Sequence, residues 1–180
     1  MTVLAAQPID TERLELLPLR IGHAEEMAAV LSDPALHTFI GGTPEAPGAL
    51  RSRYRRLTAG SPDPAVSWLN WVIRLRAESC LTGTVQATVA GPVAEIAWVV
   101  GTPWQGRGIA AEAARGLVDR LTRQQVHTVI AHIHPGHSAS AAVARAAGLT
   151  PTDERHDGEI RWHLRANLRD EPPPTTATIN

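Results

Sequence analysis

The chain has 180 residues and a mass of 19.3 kDa, which suits one domain with a single core. Its 17 basic and 18 acidic residues give a formal charge of −1, so no global positive field would draw nucleic acid or an anionic membrane. Every basic residue is arginine, which excludes a lysine Schiff base and a Walker-type phosphate loop, and a single cysteine excludes an internal disulfide.

Hydrophobic periodicity divides the chain into alternating strands and helices. In chain order the predicted elements are strand 13–19, helix 23–31, helix 47–59, strands 69–75, 81–89 and 93–100, helix 109–121, strand 128–134, helix 138–147 and strand 159–168. This order predicts an α+β or mixed α/β layered fold in one domain over residues 10–168. Residues 169–180 contain three consecutive prolines and few apolar residues, which favours a disordered polar tail.

The most informative segment is the turn that joins strand 93–100 to helix 109–121. Gly106 and Gly108 allow backbone conformations that other residues resist, and the N–H groups at a helix start form an anion site suited to a pyrophosphate. Arg107 adds a positive charge. The spacing of Gly106, Gly108 and Ala111 also fits the dinucleotide fingerprint, but the next strand ends without the acidic residue that such a site needs.

The same turn, Gln105-Gly106-Arg107-Gly108-Ile109-Ala110, matches the pattern R/Q-x-x-G-x-G/A and resembles the pyrophosphate motif of the GCN5-related N-acetyltransferase (GNAT) superfamily. A second segment, residues 131–149, is similar to the strand–helix motif A-h-x-x-P-x-N/H-x-x-S…G-F/L of the ribosomal-protein N-acetyltransferase-like branch. The opening 11–16, TERLEL, is similar to the first strand of that branch. Two separate motifs at the right spacing are more specific than one glycine turn.

This resemblance implies a twisted, mostly antiparallel sheet of six to seven strands, splayed between the fourth and fifth strands, with about four helices. It implies an N-acetyltransferase that moves an acetyl group from acetyl-CoA, as co-substrate and without a metal, to a primary amine by direct attack in a ternary complex. The pantetheine arm would pair with the backbone of the strand before the turn, and N–H groups of 105–110 would hold the pyrophosphate. The cofactor-binding residues so implied are Trp98, Val99, Val100, Gln105, Gly106, Arg107, Gly108, Ile109, Ala110, His137 and Ser140.

A base is needed because a primary amine with a pKa of about 10 is protonated at neutral pH and cannot attack a thioester. Glu95 is the leading candidate, since it interrupts an otherwise apolar strand just before the residues expected to meet the pantetheine. Glu154, His134 and water remain open as alternatives. The alternative to a catalytic role is that Glu95 is a structural carboxylate, which pairs with an arginine such as Arg74 or Arg76 on a neighbouring strand.

The leaving thiolate would gain from a hydrogen-bond donor or from reprotonation. Ser140 would lie in the first turn of the last helix and could donate a hydrogen bond to the sulfur. Many family members place a tyrosine general acid where this chain has Ala144. That departure motivates an alternative function, a catalytically weak acyl-CoA-binding regulatory module. His132 is expected to pack or to form a hydrogen bond, and Tyr54 to pack.

The acceptor stays open between a protein N-terminal amine, a small metabolite amine and an antibiotic amino group. An outward Trp162 or the exposed sheet edge could support a homodimer. No transmembrane-length apolar run and no secretory signal are visible, so we expect a cytoplasmic protein that binds neither membrane nor nucleic acid.

Overall fold

The computed structural model describes residues 3–166, which form one eight-stranded mixed sheet and five α-helices. The strands are β1 (Ile9–Asp10), β2 (Leu14–Pro18), β3 (Val66–Leu75), β4 (Cys80–Ala90), β5 (Val93–Val100), β6 (Thr128–Ile133), β7 (Thr150–His156) and β8 (Glu159–Arg165). The helices are α1 (Ala24–Val30), α2 (His37–Ile40), α3 (Pro47–Thr58), α4 (Ile109–Thr122) and α5 (Ser138–Ala146). The strand order across the sheet is β1-β2-β3-β4-β5-β6-β8-β7.

Every element predicted from hydrophobic periodicity is present with small shifts of its ends, and the mixed α/β fold class is confirmed. The structure adds two strands, the two-residue β1 and the seven-residue β7, and the four-residue helix α2. Strand β7 escaped prediction because it is an edge strand with almost no buried residue, so its sequence lacks the apolar alternation of a half-buried strand. The predicted tail 169–180 and the end of the last strand lie outside the described residues.

The two central strands, β5 and β6, diverge from one another. Strands β1 to β5 form an antiparallel meander, whereas β5 and β6 run parallel. That parallel pairing covers only Val93–Glu95 against Thr128–Ile130. Beyond it, β5 stays with β4 as far as Val100 and β6 stays with β8 as far as Ile133. The predicted splay between the fourth and fifth predicted strands, now β5 and β6, is therefore confirmed.

The helices cover the two faces of the sheet unequally. Helices α4 and α5 pack on one face over the main core, where Leu117 and Leu121 are fully buried. Helices α1 and α3 pack on the other face over a smaller core that contains Leu50, Tyr54 and Val72. Because a buried Leu→Ala change costs about 2–5 kcal/mol, these two clusters hold the helices against the sheet.

The second face is uncovered over β5. Glu95 and Ala97 are exposed there, while Ala94 and Ile96 on the opposite face are buried. The nearly apolar sequence of β5 therefore reflects a central position in the sheet but not burial on both faces. This open surface begins where the covering by α1 and α3 ends.

Two further observations concern the surface. Trp162 does not face outward as expected: it is 3% exposed, and the Arg145 guanidinium lies 5.1 Å from its ring centroid. Of the two proposed dimer surfaces, only the edge strand β7 is exposed. Within residues 3–166, the helices are all too short or too polar to cross a bilayer.

Candidate active site

A cleft of about 740 Å³ opens where β5 and β6 separate. Its walls come from the end of β5, the start of α4, the start of α5 and the segment around α2. Ten of the residues implied by the family resemblance line it: Trp98, Val99, Val100, Gln105, Gly106, Gly108, Ile109, Ala110, His137 and Ser140. Arg107 and Glu95, also expected at the site, are not among the lining residues. The cleft thus brings together two motifs that are about thirty residues apart.

The turn before α4 presents a row of free backbone N–H groups. Gly106 and Gly108 have φ values of +73° and +74°, in the left-handed region that favours glycine. Among the described residues, none accepts a hydrogen bond from the N–H groups of residues 106–111, and the first helical bond is from Glu112 to Gly108. These donors lie at the positive end of the α4 dipole, so the turn is suited to bind an anion.

Gln105 closes the turn rather than contributing its own N–H. That N–H donates to the Thr102 carbonyl at 3.2 Å, and the Gln105 side-chain amide donates to the Val100 carbonyl at 2.9 Å. The glutamine at the start of the motif therefore fixes the path of the chain between β5 and α4.

The guanidinium of Arg107 points to the β3–β4 connection. It donates to Glu78 Oε1 at 2.6 Å, and the Trp104 indole N–H lies 3.3 Å from the other carboxylate oxygen. The Arg107 hydrogen bond holds the pKa of the Glu78 carboxyl below its ordinary value. The Glu78 carboxylate therefore balances the charge of Arg107, and the Arg107 side chain points away from the cleft.

A buried clamp, missed by the sequence analysis, supports the turn from behind. Glu112, in the first turn of α4, is 8% exposed and accepts from the Thr11 hydroxyl at 2.6 Å and from the Arg13 N–H at 2.7 Å. The Arg13 guanidinium donates to the same carboxylate at 2.7 Å and to the Arg107 carbonyl at 2.9 Å. Burial opposes ionisation of Glu112, but these hydrogen bonds outweigh it and lower the pKa of its carboxyl.

The far end of the cleft is built by the β6–α5 turn and α2. The Phe39 ring stacks on His137, with centroids 4.3 Å apart and planes 8° apart. Burial, followed by electrostatic repulsion from the neighbouring His134, lowers the pKa of His137, which disfavours the charged ring. His137 Nε2 lies 3.5 Å from the hydroxyl of Ser140. Stacking thus joins α2 to the wall that carries Ser140.

The segment before α2 is tied to the opposite wall. Asp33 accepts from the Thr102 hydroxyl at 2.7 Å and from the Ala35 N–H at 2.9 Å. These two bonds, that from Thr102 first, lower the pKa of the Asp33 carboxyl. The base of α2 is therefore fixed to the turn that follows β5, while α2 itself ends at Gly41 and Gly42, both with positive φ.

Glu95 does not pair with Arg74 or Arg76, contrary to the structural interpretation considered above. Arg74 bonds Glu15, and Arg76 bonds Asp10. Glu95 Oε1 instead lies 2.8 Å from Nδ1 of His132, in agreement with a hydrogen-bonding role for that histidine. The Glu95 side chain is 51% exposed and that of His132 15%. Carboxylate and imidazole thus form a pair on the open face of the sheet.

The other candidate bases are engaged elsewhere. Glu154 bonds Arg161 on the β7–β8 hairpin. His134 Nδ1 accepts from the Gly136 N–H at 2.9 Å, so its lone pair is used by the turn. Ala144 is fully buried in the main core, and Tyr54 is 4% exposed, with burial raising the pKa of its hydroxyl to about 12.

The comparison with protein families gives one match that covers most of the domain. The family model described as the acetyltransferase (GNAT) domain matches residues 13–150. No curated protein matches the chain.

Several solved structures resemble the fold. A GNAT-family acetyltransferase from Bacillus anthracis has a TM-score of 0.74 at 19% identity, covering 88% of this chain and 98% of its own. An acetyltransferase from Agrobacterium tumefaciens str. C58 has a TM-score of 0.71 at 24% identity, covering 92% and 98%. RimL, a ribosomal L7/L12 alpha-N-protein acetyltransferase in complex with coenzyme A, has a TM-score of 0.73 at 16% identity, covering 88% and 98%. At these identities the likeness shows the fold alone.

Proposed function

The chain belongs to the GNAT acetyltransferase family, and from this premise we propose that it transfers an acetyl group from acetyl-CoA to a primary amine by direct attack within a ternary complex. The observation that carries the proposal is the gap between β5 and β6 beside the unpaired N–H groups of residues 106–111. A diphosphate would bind these donors, and the extended pantetheine arm would lie in the gap.

The residues present fit such a co-substrate. Within the described residues, the backbone of Ile96–Val99 has no strand partner on the β6 side, so its polar groups can pair with the amides of the pantetheine arm. The free N–H groups and the α4 dipole favour the diphosphate without a lysine or a metal. Ten of the cofactor-binding residues expected from the resemblance line the cleft, while Arg107 acts through its backbone.

Amine attack requires a base on one side and stabilisation of sulfur on the other. The Glu95 carboxylate supports removal of the ammonium proton from the open face. The Ser140 hydroxyl lines the cleft and is the candidate donor to the leaving sulfur. No tyrosine can serve as general acid, because Ala144 is buried and Tyr54, the one tyrosine of the chain, belongs to the α1–α3 core.

The uncovered face of the sheet bears on which amines could act as acceptors. The face that carries Glu95 is uncovered over β5, which admits a peptide N-terminus as readily as a small amine. RimL, a structural neighbour, is described as acting on a ribosomal protein N-terminus. A flexible protein N-terminus is therefore one arm of the acceptor panel, beside small amines.

A second candidate function, an acyl-CoA-binding regulatory module, is favoured by one observation: the family's tyrosine position is taken by a buried alanine. The two functions share the cleft and differ in turnover. Binding of acetyl-CoA alone therefore does not separate them.

The test combines binding with turnover. Acetyl-CoA should raise the melting temperature, whereas NADH should not. Free-thiol release is then measured with acetyl-CoA and a panel of spermidine, tyramine, phenylalanine methyl ester and hexapeptides with free N-terminal amines. Amine-dependent thiol release that falls in Glu95→Gln, with acetyl-CoA binding retained, supports the enzyme. Binding without thiol release for any amine supports the regulatory module, and stabilisation by NADH alone contradicts both.

A further inference from the structure

We propose that the group that takes the proton from the amine is Nε2 of His132, and that Glu95 acts behind it as a positioning carboxylate. This inference rests on the proposed acetyl transfer and specifies its proton acceptor. Four observations carry it: the hydrogen bond between the two side chains, their order along the sheet, the state of Nε2, and the engagement of the neighbouring ionisable groups.

The hydrogen bond assigns the tautomer of the imidazole. At neutral pH an ionised Glu95 accepts, so the hydrogen of a neutral His132 must be on Nδ1, 2.8 Å from Glu95 Oε1. Nε2 then carries the lone pair. Within residues 3–166 it has no hydrogen-bond partner and is not one of the fully buried unpartnered atoms, in a side chain that is 15% exposed on the uncovered face.

The register places His132 between Glu95 and the cleft. In the parallel pair, Glu95 is level with Ile130, and His132 lies two residues further along β6 on the same face. At about 3.3 Å per residue this moves its backbone roughly 6.6 Å toward the end of the sheet where the strands part. The cleft-lining residues of β5, Trp98–Val100, lie in the same direction. Neither His132 nor Glu95 lines the cleft, and of the two the imidazole has the backbone nearer to the point where the strands part.

The surroundings suit a base that becomes positively charged. Protonation of Nε2 creates an imidazolium next to the Glu95 carboxylate, which turns the existing bond into a charge-assisted one. The other ionisable groups that face the ring come from β7 and β8. Arg161, opposite His132 on β8, is bonded to Glu154, and the His156 ring lies 5.4 Å away. The arginine charge is thus balanced by its own partner.

The proposed step is as follows. Nε2 of His132 takes one proton from the substrate ammonium, and the freed lone pair forms the N–C bond with the thioester carbonyl carbon. The C–S bond then breaks, and its electron pair remains on sulfur. The second proton lost by nitrogen reaches the sulfur, so the products are the amide and the free thiol of coenzyme A, with one proton held by His132 for release to solvent.

His132→Asn is the decisive variant, because an asparagine amide can still donate to Glu95 while no atom replaces Nε2. We expect kcat to fall at least 100-fold on every panel amine that the wild type acetylates, with KM for acetyl-CoA within about twofold, since general-base catalysis typically contributes 10²–10⁴-fold. The same change at the exposed His127, in the loop before β6, is the matched control and should leave kcat unchanged. Imidazole added to His132→Ala should restore turnover.

Several outcomes would overturn the inference. If His132→Asn keeps kcat within fivefold while Glu95→Gln loses 100-fold, Glu95 itself is the base, and the proposed function stands. If the wild type binds acetyl-CoA but releases no thiol with any amine, the transfer itself is refuted, and His132 has no proton to accept. Nitrogen-15 NMR of the imidazole tests the arrangement without any acceptor: an Nε2–H tautomer of His132 at pH 8 would contradict it.

Discussion

The Thr11–Arg13–Glu112 clamp behind the turn before α4 gives the sharpest stability prediction, through Glu112→Gln. The amide oxygen can still accept from Thr11 and the Arg13 N–H, but the ion pair with the Arg13 guanidinium is lost. A hydrogen bond to a charged group contributes about 1.5–3 kcal/mol. The Arg13 side chain is 44% exposed, so solvent screening reduces the expected loss to about 1–2 kcal/mol.

The consequences should appear in both stability and binding. For a chain of this size a loss of 1–2 kcal/mol lowers the melting temperature by about 2–8 °C. Arg13 also holds the Arg107 carbonyl, so the turn loses part of its support and the Kd for acetyl-CoA should rise about three- to tenfold. Glu154→Gln breaks an exposed carboxylate–arginine pair on the β7–β8 hairpin and should change stability by less than about 0.5 kcal/mol.

The stabilisation that Glu112 contributes to the folded state should depend on pH. The pKa of the Glu112 carboxyl is lower in the folded state than its ordinary value near 4.5, so its contribution is present above that value and is lost as pH falls through the folded pKa. The difference between wild type and Glu112→Gln in urea-unfolding free energy should therefore be largest at pH 6–7 and shrink below pH 4. An unchanged melting temperature, or a difference that grows in acid, would refute the role assigned to the clamp.

The remaining predictions concern the cleft walls. Gly108→Ala, at φ +74°, should lower stability by about 1–2 kcal/mol and raise the Kd for acetyl-CoA by calorimetry, whereas Gly48→Ala, with open space around it, should not destabilise. Phe39→Ala removes the ring stacked on the β6–α5 turn and should weaken acetyl-CoA binding severalfold, with a melting-temperature change below about 2 °C because Phe39 is 37% exposed. Thr102→Val should raise the pKa of Asp33 back toward its ordinary value in an NMR titration. The same Asp33 pKa in the variant as in the wild type would contradict the hydrogen bond between Thr102 and Asp33.

The fold could be predicted from sequence because its signals are local. Helix α4 shows apolar residues at every turn, and Leu117 and Leu121 are indeed fully buried. The turn before it needs two left-handed residues, and Gly106 and Gly108 meet that need whatever the rest of the chain does. Hydrophobic periodicity and backbone sterics act over a few residues, so they can be read without knowing which strands are neighbours.

Long-range electrostatic partners could not be predicted in the same way. Arginine and glutamate side chains have many potential partners in a chain with 17 basic and 18 acidic residues, and the sequence offered Arg74 or Arg76 for Glu95. The observed partner, His132, follows from the parallel neighbour of β5 and from the register between them. A shift of one residue would put the two side chains on opposite faces of the sheet.

By itself, then, the amino-acid sequence determined the order of elements, the glycine turn with its free amides and the family to which they point. Only the tertiary structure decided that Arg13 would support that turn through Glu112, that Arg107 would face Glu78 and that Glu95 would meet His132. The physical reason is distance along the chain. Backbone conformation and apolar periodicity depend on residues that are close in sequence. Each of these contacts, in contrast, joins residues 29 to 99 positions apart and forms only when the strands have assembled in their final order.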